Sequence, residues 1–515
     1  MWDGSDFWNP VTILGGTGTL GLIASLWPAA RRGIAPGCFL ALLVAALTWS
    51  DMRSDDLARA TWTVSLIWGV LLTALHWSDQ SVSDECAAAG LATESRALPL
   101  QLVMLAGLCL LSRAGDLVTL FLGLQLVSLG ASVLTSRSGR PTRESHFPLS
   151  WLWLLGCVLL VAVTGSTRLE TIHEALQTSY LTQASAGFKI AGGGSRVLTL
   201  SAICLGTALA GYAVCVPFHF GRFESLNEML LPRAAALLAW IKLWPETITA
   251  SESTAQLLIG VLAAITGVVP LLQARVERHL VKQWWLLAVA QGGWLLLAIA
   301  AWSFVRPAAP LNPAWPVVEW NLPTAAQAAW LLLLLDGVAV IGLSGVLAYL
   351  RRRERPVEFV EDLRGLFHFE PIAAVCACVC LLSLSGLPLL AGFWSRQFIA
   401  LAAMNVRGDW GPPTLLVPHA GLLLLTACLA LSAVWSAAIA MRSVWTMLFG
   451  LPLGQPRPVG AISSLFSAVL ASVILIGCGV LPGPLLSWLC APRVKQPIPQ
   501  DRQKAPVFAD RGGSR

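Results

Sequence analysis

The stretch from Leu382 to Phe398, LSLSGLPLLAGFWSRQF, constrains this chain more than any other. It continues an apolar run that reads as a helix. Pro388 lacks an N–H and its ring clashes with the preceding turn, so the hydrogen-bond ladder must break there. Backbone groups freed inside a bilayer are tolerated only where protein or a water-lined cavity satisfies them, and a charge beside the break, Arg396, points to an ion or substrate path. A second break is predicted at Pro217, in AVCVPFHF. Two interrupted hydrophobic segments at corresponding places in two halves of a chain are the pattern of an inverted-repeat transporter.

Of 515 residues, 56% are hydrophobic and 12% charged, against about 25% charged in an average soluble domain. The fold class is therefore an all-α polytopic membrane protein with about 14 transmembrane helices, each near the roughly 20 residues that a bilayer core requires. The spans are predicted to begin near Val11, Ile34, Thr61, Ala97, Gly115, Pro148, Val197, Leu230, Ala255, Leu280, Ala325, Glu370, Thr414 and Ala461. Asp3 and Asp6 precede the first, with no basic leading segment, so it is expected to be a span and not a cleaved signal. The chain divides into a three-helix front portion (1–96), a first five-helix repeat (97–250), a second (251–450), a C-terminal helix (451–492) and a polar tail (493–515).

Lys and Arg total 34 against 28 Asp and Glu, a net +6 that invites no nucleic-acid partner. Basic residues gather after spans one (Arg31, Arg32), five (Arg137, Arg140, Arg143), nine (Arg275, Arg278, Lys282) and eleven (Arg351, Arg352, Arg353, Arg355). By the positive-inside rule these odd-numbered connections are cytoplasmic and both termini face the other side. The connection from Ser166 to Arg196 carries an amphipathic start (Leu169, Ile172, Leu176), read as a short surface helix, before a Gly-rich linker. Cys376, Cys378 and Cys380 point to different faces of a helix, with no His or carboxylate at ligand spacing, so they read as buried small hydrophobes and no metal site is expected.

Four motifs then carry a family likeness. GDLVTLFLGLQLVSLGASVL (Gly115 to Leu134), VPFHF (Val216 to Phe220), VEDLRGL (Val360 to Leu366) and LSLSGLPLLAGFW (Leu382 to Trp394) together resemble the subunit N family of proton-pumping NADH-quinone oxidoreductases, respiratory complex I. Subunits L and M of that complex and the large subunits of cation antiporters share the five-helix repeat. The resemblance implies two inverted repeats and a line of charged residues and water carrying protons: a Glu on the fifth helix paired with a Lys on the seventh, a Lys on the eighth, and another on the twelfth. It also implies a bacterial inner (cytoplasmic) membrane location and other complex I membrane subunits as partners in the lipid bilayer. No cofactor is expected in this chain, with NADH, FMN, iron–sulfur clusters and quinone belonging to the complex through partner subunits.

Laid onto this sequence, the implied relay is largely replaced. The fifth-helix Glu position is Gln125, the seventh-helix Lys position is Tyr212, and the tenth-helix polar position is Gln291. The eighth-helix Lys is kept as Lys242, and the twelfth-helix Lys becomes Arg396, which does not release a proton at usable pH.

The remaining proton-path candidates are Lys242, Asp336, His219, Glu246 and Arg396. Lys242 sits within AAALLAWIKLWPET and needs a partner, water or a neutral form. It is read as functional, or as snorkelling to an interface or paired structurally with Glu246. Asp336, inside LLLLLDGVAVIG, is read as a replacement partner for Lys242 or as an acid bonded to a helix carbonyl. His219 is a titrating group or a cap beside the break, and Arg396 and Arg442 are read as facing water, lipid phosphate or a neighbouring subunit. Asp116 is read as a helix N-terminal charge. No catalytic residue is assigned, because no phosphate-binding glycine loop, cluster-binding Cys pattern or nucleophile–base spacing occurs. The expected function is proton translocation coupled to quinone reduction. The alternatives are a non-conducting scaffold of the same complex, or an antiporter-like subunit of a membrane hydrogenase or cation antiporter.

Overall fold

The structure, a computed structural model, describes residues 10–25, 34–47, 56–77, 97–135, 147–172, 174–176, 193–216, 218, 230–248, 253–303, 325–350, 357–404, 420–451 and 462–483. The helices are α1 (Pro10–Ala24), α2 (Ile34–Leu47), α3 (Asp56–His76), α4 (Ala97–Arg113), α5 (Leu117–Thr135), α6 (Phe147–Thr164), α7 (Gly193–Tyr212), α8 (Leu230–Ile248), α9 (Ser253–Val276), α10 (Leu280–Ser303), α11 (Ala325–Tyr349), α12 (Pro371–Ser385), α13 (Ala391–Met404), α14 (Ala420–Phe449) and α15 (Ile462–Val480). Taking α12 and α13 as two pieces of one interrupted span, the order reproduces the predicted spans. Among the described residues, seven helices are long and apolar enough to cross a bilayer by length and composition, and several shorter apolar helices accompany them. Among the described residues there is no strand, only isolated bridges between loops.

The same helix pairings occur twice. In the first block α4 meets α5, α6 meets α7, and α8 packs on α4, α5 and α7; in the second α9 meets α10, α11 meets α12, and α14 packs on α9, α10 and α12. Because a block of five crossings is odd, the second copy runs in the opposite sense to the first. The front helices are not peripheral: α3 packs on α11 and α15 as well as on α4. Trp68 of α3 lies over Gly337, where a Cβ would meet its indole, and its Nε1 donates to the Leu334 carbonyl at 3.3 Å.

Loop-to-loop contacts sort by parity, as alternating spans demand. The connection α4–α5 pairs with the start of α6–α7 through Leu117 N to Thr167 O and Leu169 N to Gly115 O, both 3.0 Å. The connection α9–α10 pairs with α11–α12 through Leu280 N to Glu358 O at 2.8 Å and Val360 N to Arg278 O at 3.3 Å. VEDLRGL forms that second junction. Asp362 accepts from the backbone of Glu358 and Phe359 at 3.1 and 2.9 Å, while Leu363 and Leu366 are buried. The short helix expected on the surface after α6 instead has Leu169, Ile172 and Leu176 buried, so its apolar stripe belongs to the protein core.

Both interruptions have local causes. α12 ends at Ser385 because Gly386 adopts φ 78° and its N–H turns back to Ser383 O at 2.9 Å. Leu389 follows at φ 76°, a conformation costly for a non-glycine residue. α13 then begins beside α12 because Gly392 has no side chain to strike the Ser383 carbonyl. In the first block α7 ends at Tyr212, and Val214 stands at φ 57°, an outlier for a β-branched residue. Pro217 itself lies outside the described residues.

Candidate functional site

The positions matched to the family's Glu and Lys meet in space and form a neutral network. Gln125 on α5 donates from Nε2 to Ser150 Oγ at 2.9 Å and to Tyr212 Oη at 3.2 Å. Ser150 Oγ lies 2.9 Å from Tyr212 Oη and also reaches Gln125 Oε1 at 3.2 Å. A consistent donor order is amide to phenol, phenol to serine, and serine back to the amide oxygen, so the ring closes on itself without a charge. Tyr212 is fully buried. Ser150, on α6, was not singled out from the sequence, because a serine in a span gives no periodic signal.

Lys242 on α8 donates from Nζ to the Ala114 carbonyl at 2.7 Å. Ala114 follows the last residue of α4, so the ammonium sits at the negative end of that helix, where a cation is favoured. It is half-buried, at the level of a helix terminus. Asp116, two residues on, opens α5: its Oδ1 accepts from Thr119 N at 2.5 Å. Thr119, through its side chain and its backbone N–H, holds the Asp116 carboxyl below the usual carboxylate range, with Arg168 contributing, in keeping with its reading as an N-terminal helix charge.

A second set of buried charges surrounds the breaks. Arg396 on α13 is 4% exposed, not facing water or lipid as expected. Its Nη1 and Nη2 donate to the carbonyls of Ser385 and Leu384, which the break has released from the helix ladder. Gly386 leaves room for that guanidinium, since a Cβ there would collide with it. Arg442, by contrast, is exposed. Arg233 plays the matching part in the first block: Nε donates to Ala213 O, just past the end of α7, at 3.3 Å, and Nη1 to Ala288 O on α10 at 2.8 Å. Val216 N is taken up by Thr266 Oγ1 at 3.3 Å.

Arg233 was not among the sequence candidates because LLPRAAALL reads as a helix start, where a basic residue passes as interfacial. The available signal was its place shortly after a broken segment, in the first turn of a helix whose positive dipole end disfavours it.

Asp336 on α11 is buried, and neither carboxylate oxygen has a hydrogen-bond partner. The charges that act on it are Arg396 and Arg233, in place of the expected Lys242. The reason is that α11 packs on α13, α10 and α8, which bring those guanidinium groups to it. Gln291 on α10 donates to Leu287 O of its own helix at 3.1 Å, leaving Oε1 without a partner. His219 and the side chain of Glu246 lie outside the described residues. Cys376, Cys378 and Cys380 are all buried in α12.

Comparison with known proteins places this arrangement in context. A family model described as "NADH:quinone oxidoreductase/Mrp antiporter, TM" matches residues 320–417, a stretch holding Asp336, VEDLRGL and the second break. NADH-quinone oxidoreductase subunit N 1 of Sorangium cellulosum is 27% identical over 425 residues, covering 75% of this chain and 73% of that protein. Subunit N of Gemmatimonas aurantiaca is 24% identical over 524 residues, covering 93% and 91%. Among solved structures, a chain of respiratory complex I from Thermus thermophilus with bound NADH matches with a TM-score of 0.68 at 18% identity, covering 94% of this chain and 97% of that one. A chain of the Mrp complex from Dietzia sp. DQ12-45-1b matches at 0.65 and 17%, covering 93% and 94%. These structural likenesses establish a shared fold.

Proposed function

We infer that this chain is an antiporter-like membrane subunit of the subunit N type, working in an NADH-quinone oxidoreductase of the complex I kind. The reading rests on homologues bearing that name over three quarters of the chain and on the family match across the second break. Its place is in a bacterial inner membrane beside other membrane subunits of the complex. Electron transfer from NADH through FMN and iron–sulfur clusters to quinone belongs to partner subunits, and this chain contributes to the proton-translocating membrane arm. The division into repeats 97–250 and 251–450 is supported by the recurrent helix pairings. Purifying the complex through a tag on this chain and identifying its companions by mass spectrometry tests the assignment. Recovery of hydrogenase or cation-antiporter subunits without NADH-oxidising ones would overturn it.

One observation favours a second, narrower reading within that complex: the closed Gln125–Ser150–Tyr212 ring stands where the family likeness implies an ionisable pair. A relay through the first block needs groups that take up and release protons near neutral pH, and neither an amide nor a phenol does so there. In this reading the chain holds its neighbours in the membrane arm while the translocated protons pass elsewhere. Lys242, His219, Glu246, Asp336 and Arg396 are then structural charges. Measuring protons moved per electron, in vesicles holding the wild-type complex or a Lys242 variant, separates the two roles.

A further inference from the structure

The two arginine caps and Asp336 leave a consistent set of loose ends. Each guanidinium caps an interrupted helix, Arg233 at the end of α7, with a second bond to Ala288 O on α10, and Arg396 at the end of α12. Each also retains one N–H group without a partner, Nη2 on Arg233 and Nε on Arg396. Asp336, with both oxygens unbonded, stands on α11, which packs on the helices that carry the two caps, and feels the charge of both. All three side chains are at least nine-tenths buried: Arg233 and Arg396 are 4% exposed and Asp336 6%.

Buried donors and acceptors are rarely left orphaned, and a buried ion without its counter-ion is costlier still. Two donors and one acceptor group that attract one another yet fall short of direct bonding distance are what ordered water bridges. A small cavity at the first cap is lined by Arg233 with Ala213, Cys215, Gly292 and Leu296, and neither Asp336 nor Arg396 lines it. The Gly292 position, where a Cβ would come 3.8 Å from Arg233 Nη2, leaves that side of the guanidinium unfilled by a side chain.

We propose that Arg233, Asp336 and Arg396 form one buried, water-bridged charge centre, in which Asp336 is the shared counter-charge of both caps and ties the break of the first block to that of the second. Asp336 is thereby a positioning residue for two backbone interruptions carried on other helices. The arrangement needs the negative charge itself: an amide of the same shape would leave two buried guanidinium groups without a counter-charge. The centre does not depend on whether the chain conducts protons.

Hydrogen exchange on the intact purified complex reads this directly. Asp336→Asn is expected to raise amide exchange by about tenfold or more at both 213–216 and 385–390, which lie on different helices from the mutation, with Asp336→Glu staying near wild type. A local packing role for the carboxyl group would loosen α11 and leave the two breaks protected, and that result overturns the proposal. Where Asp336→Asn fails to accumulate in the complex, a double-mutant comparison decides. Asp336→Asn is expected to lower accumulation by a smaller factor in an Arg396→Gln background than in the wild-type one, because one of the two charges the aspartate answers has gone. Strictly multiplying losses would reject the shared counter-charge.

Discussion

Gln125 Nε2 donates to Tyr212 Oη at 3.2 Å across 87 residues of sequence. Each residue of this contact stands where the family likeness implies one member of an ion pair, and both members are neutral. Replacing only one would have left a buried charge without its partner, which costs about 3–5 kcal/mol. The two neutral residues are thus two sides of one change. Gln125→Glu and Tyr212→Lys are each expected to lower the melting temperature and yield of the complex, by a free energy of about that size, while the double variant recovers most of the loss. Additive losses in thermal melts of the purified complex would contradict this.

Lys242→Ala removes a donor from the Ala114 carbonyl at the end of α4 and is expected to cost roughly 1–2 kcal/mol of stability. Protons moved per electron should stay near the wild-type value in vesicles matched for assembled complex. A large drop with electron transfer intact would reject the scaffold reading and restore Lys242 to a conducting path.

Gly386→Ala meets two obstacles at once, a φ of 78° and the guanidinium of Arg396. A loss of about 1–3 kcal/mol is expected from the backbone conformation alone, and more once Arg396 is displaced. Gly477→Ala, where a Cβ meets nothing within 4 Å, is the control and should be nearly silent. Equal yields of the two variants in the membrane would count against the cap described at the second break.

Asp116 offers a pH test outside the membrane core. Its carboxyl is held below the ordinary value by the Thr119 hydrogen bond, so the folded state binds that proton less readily than the unfolded chain. Its contribution is therefore complete above the ordinary carboxylate range, near pH 4, and is lost as pH falls through the lowered value. Asp116→Asn keeps an acceptor for Thr119 and should flatten the acid limb of the stability curve. Asp116→Ala should lower stability by about 1 kcal/mol at neutral pH. An unchanged acid limb in Asp116→Asn would remove the residue from this role.

Topology is checked by labelling. Single cysteines at Arg278 and Glu358 are expected to react from the same side of the membrane, the cytoplasmic one, and a cysteine at Arg168 from the other. Labelling of Arg278 and Arg168 from one side would break the parity seen in the loop contacts.

The spans and the second break were legible because hydropathy, proline and glycine act locally, and local rules survive without knowledge of neighbours. Gln125 and Tyr212 were legible as a pair only through the family likeness, and Ser150, which closes their ring, was not. The role of Arg396 was misjudged for a physical reason: a long cation near a kink satisfies equally a water-facing and a carbonyl-capping reading until the position of α12 is known. Arg233 was missed, and Asp336 was left between a partnership with Lys242 and a bond to a helix carbonyl, because which charge meets which is decided by the crossing of α8, α11 and α13, elements far apart in the sequence. No periodicity records that.

The seat of Trp68 over Gly337 has a consequence for the chain's descent. The indole and the absent side chain are mould and cast, so neither changes freely alone: a larger residue at 337 would push α3 away from α11, and a smaller one at 68 would open a void at Gly337. A lineage that shed the first three helices would leave the groove at Gly337 without the indole that fills it. Descendants lacking that front portion are therefore expected to carry a larger side chain at position 337.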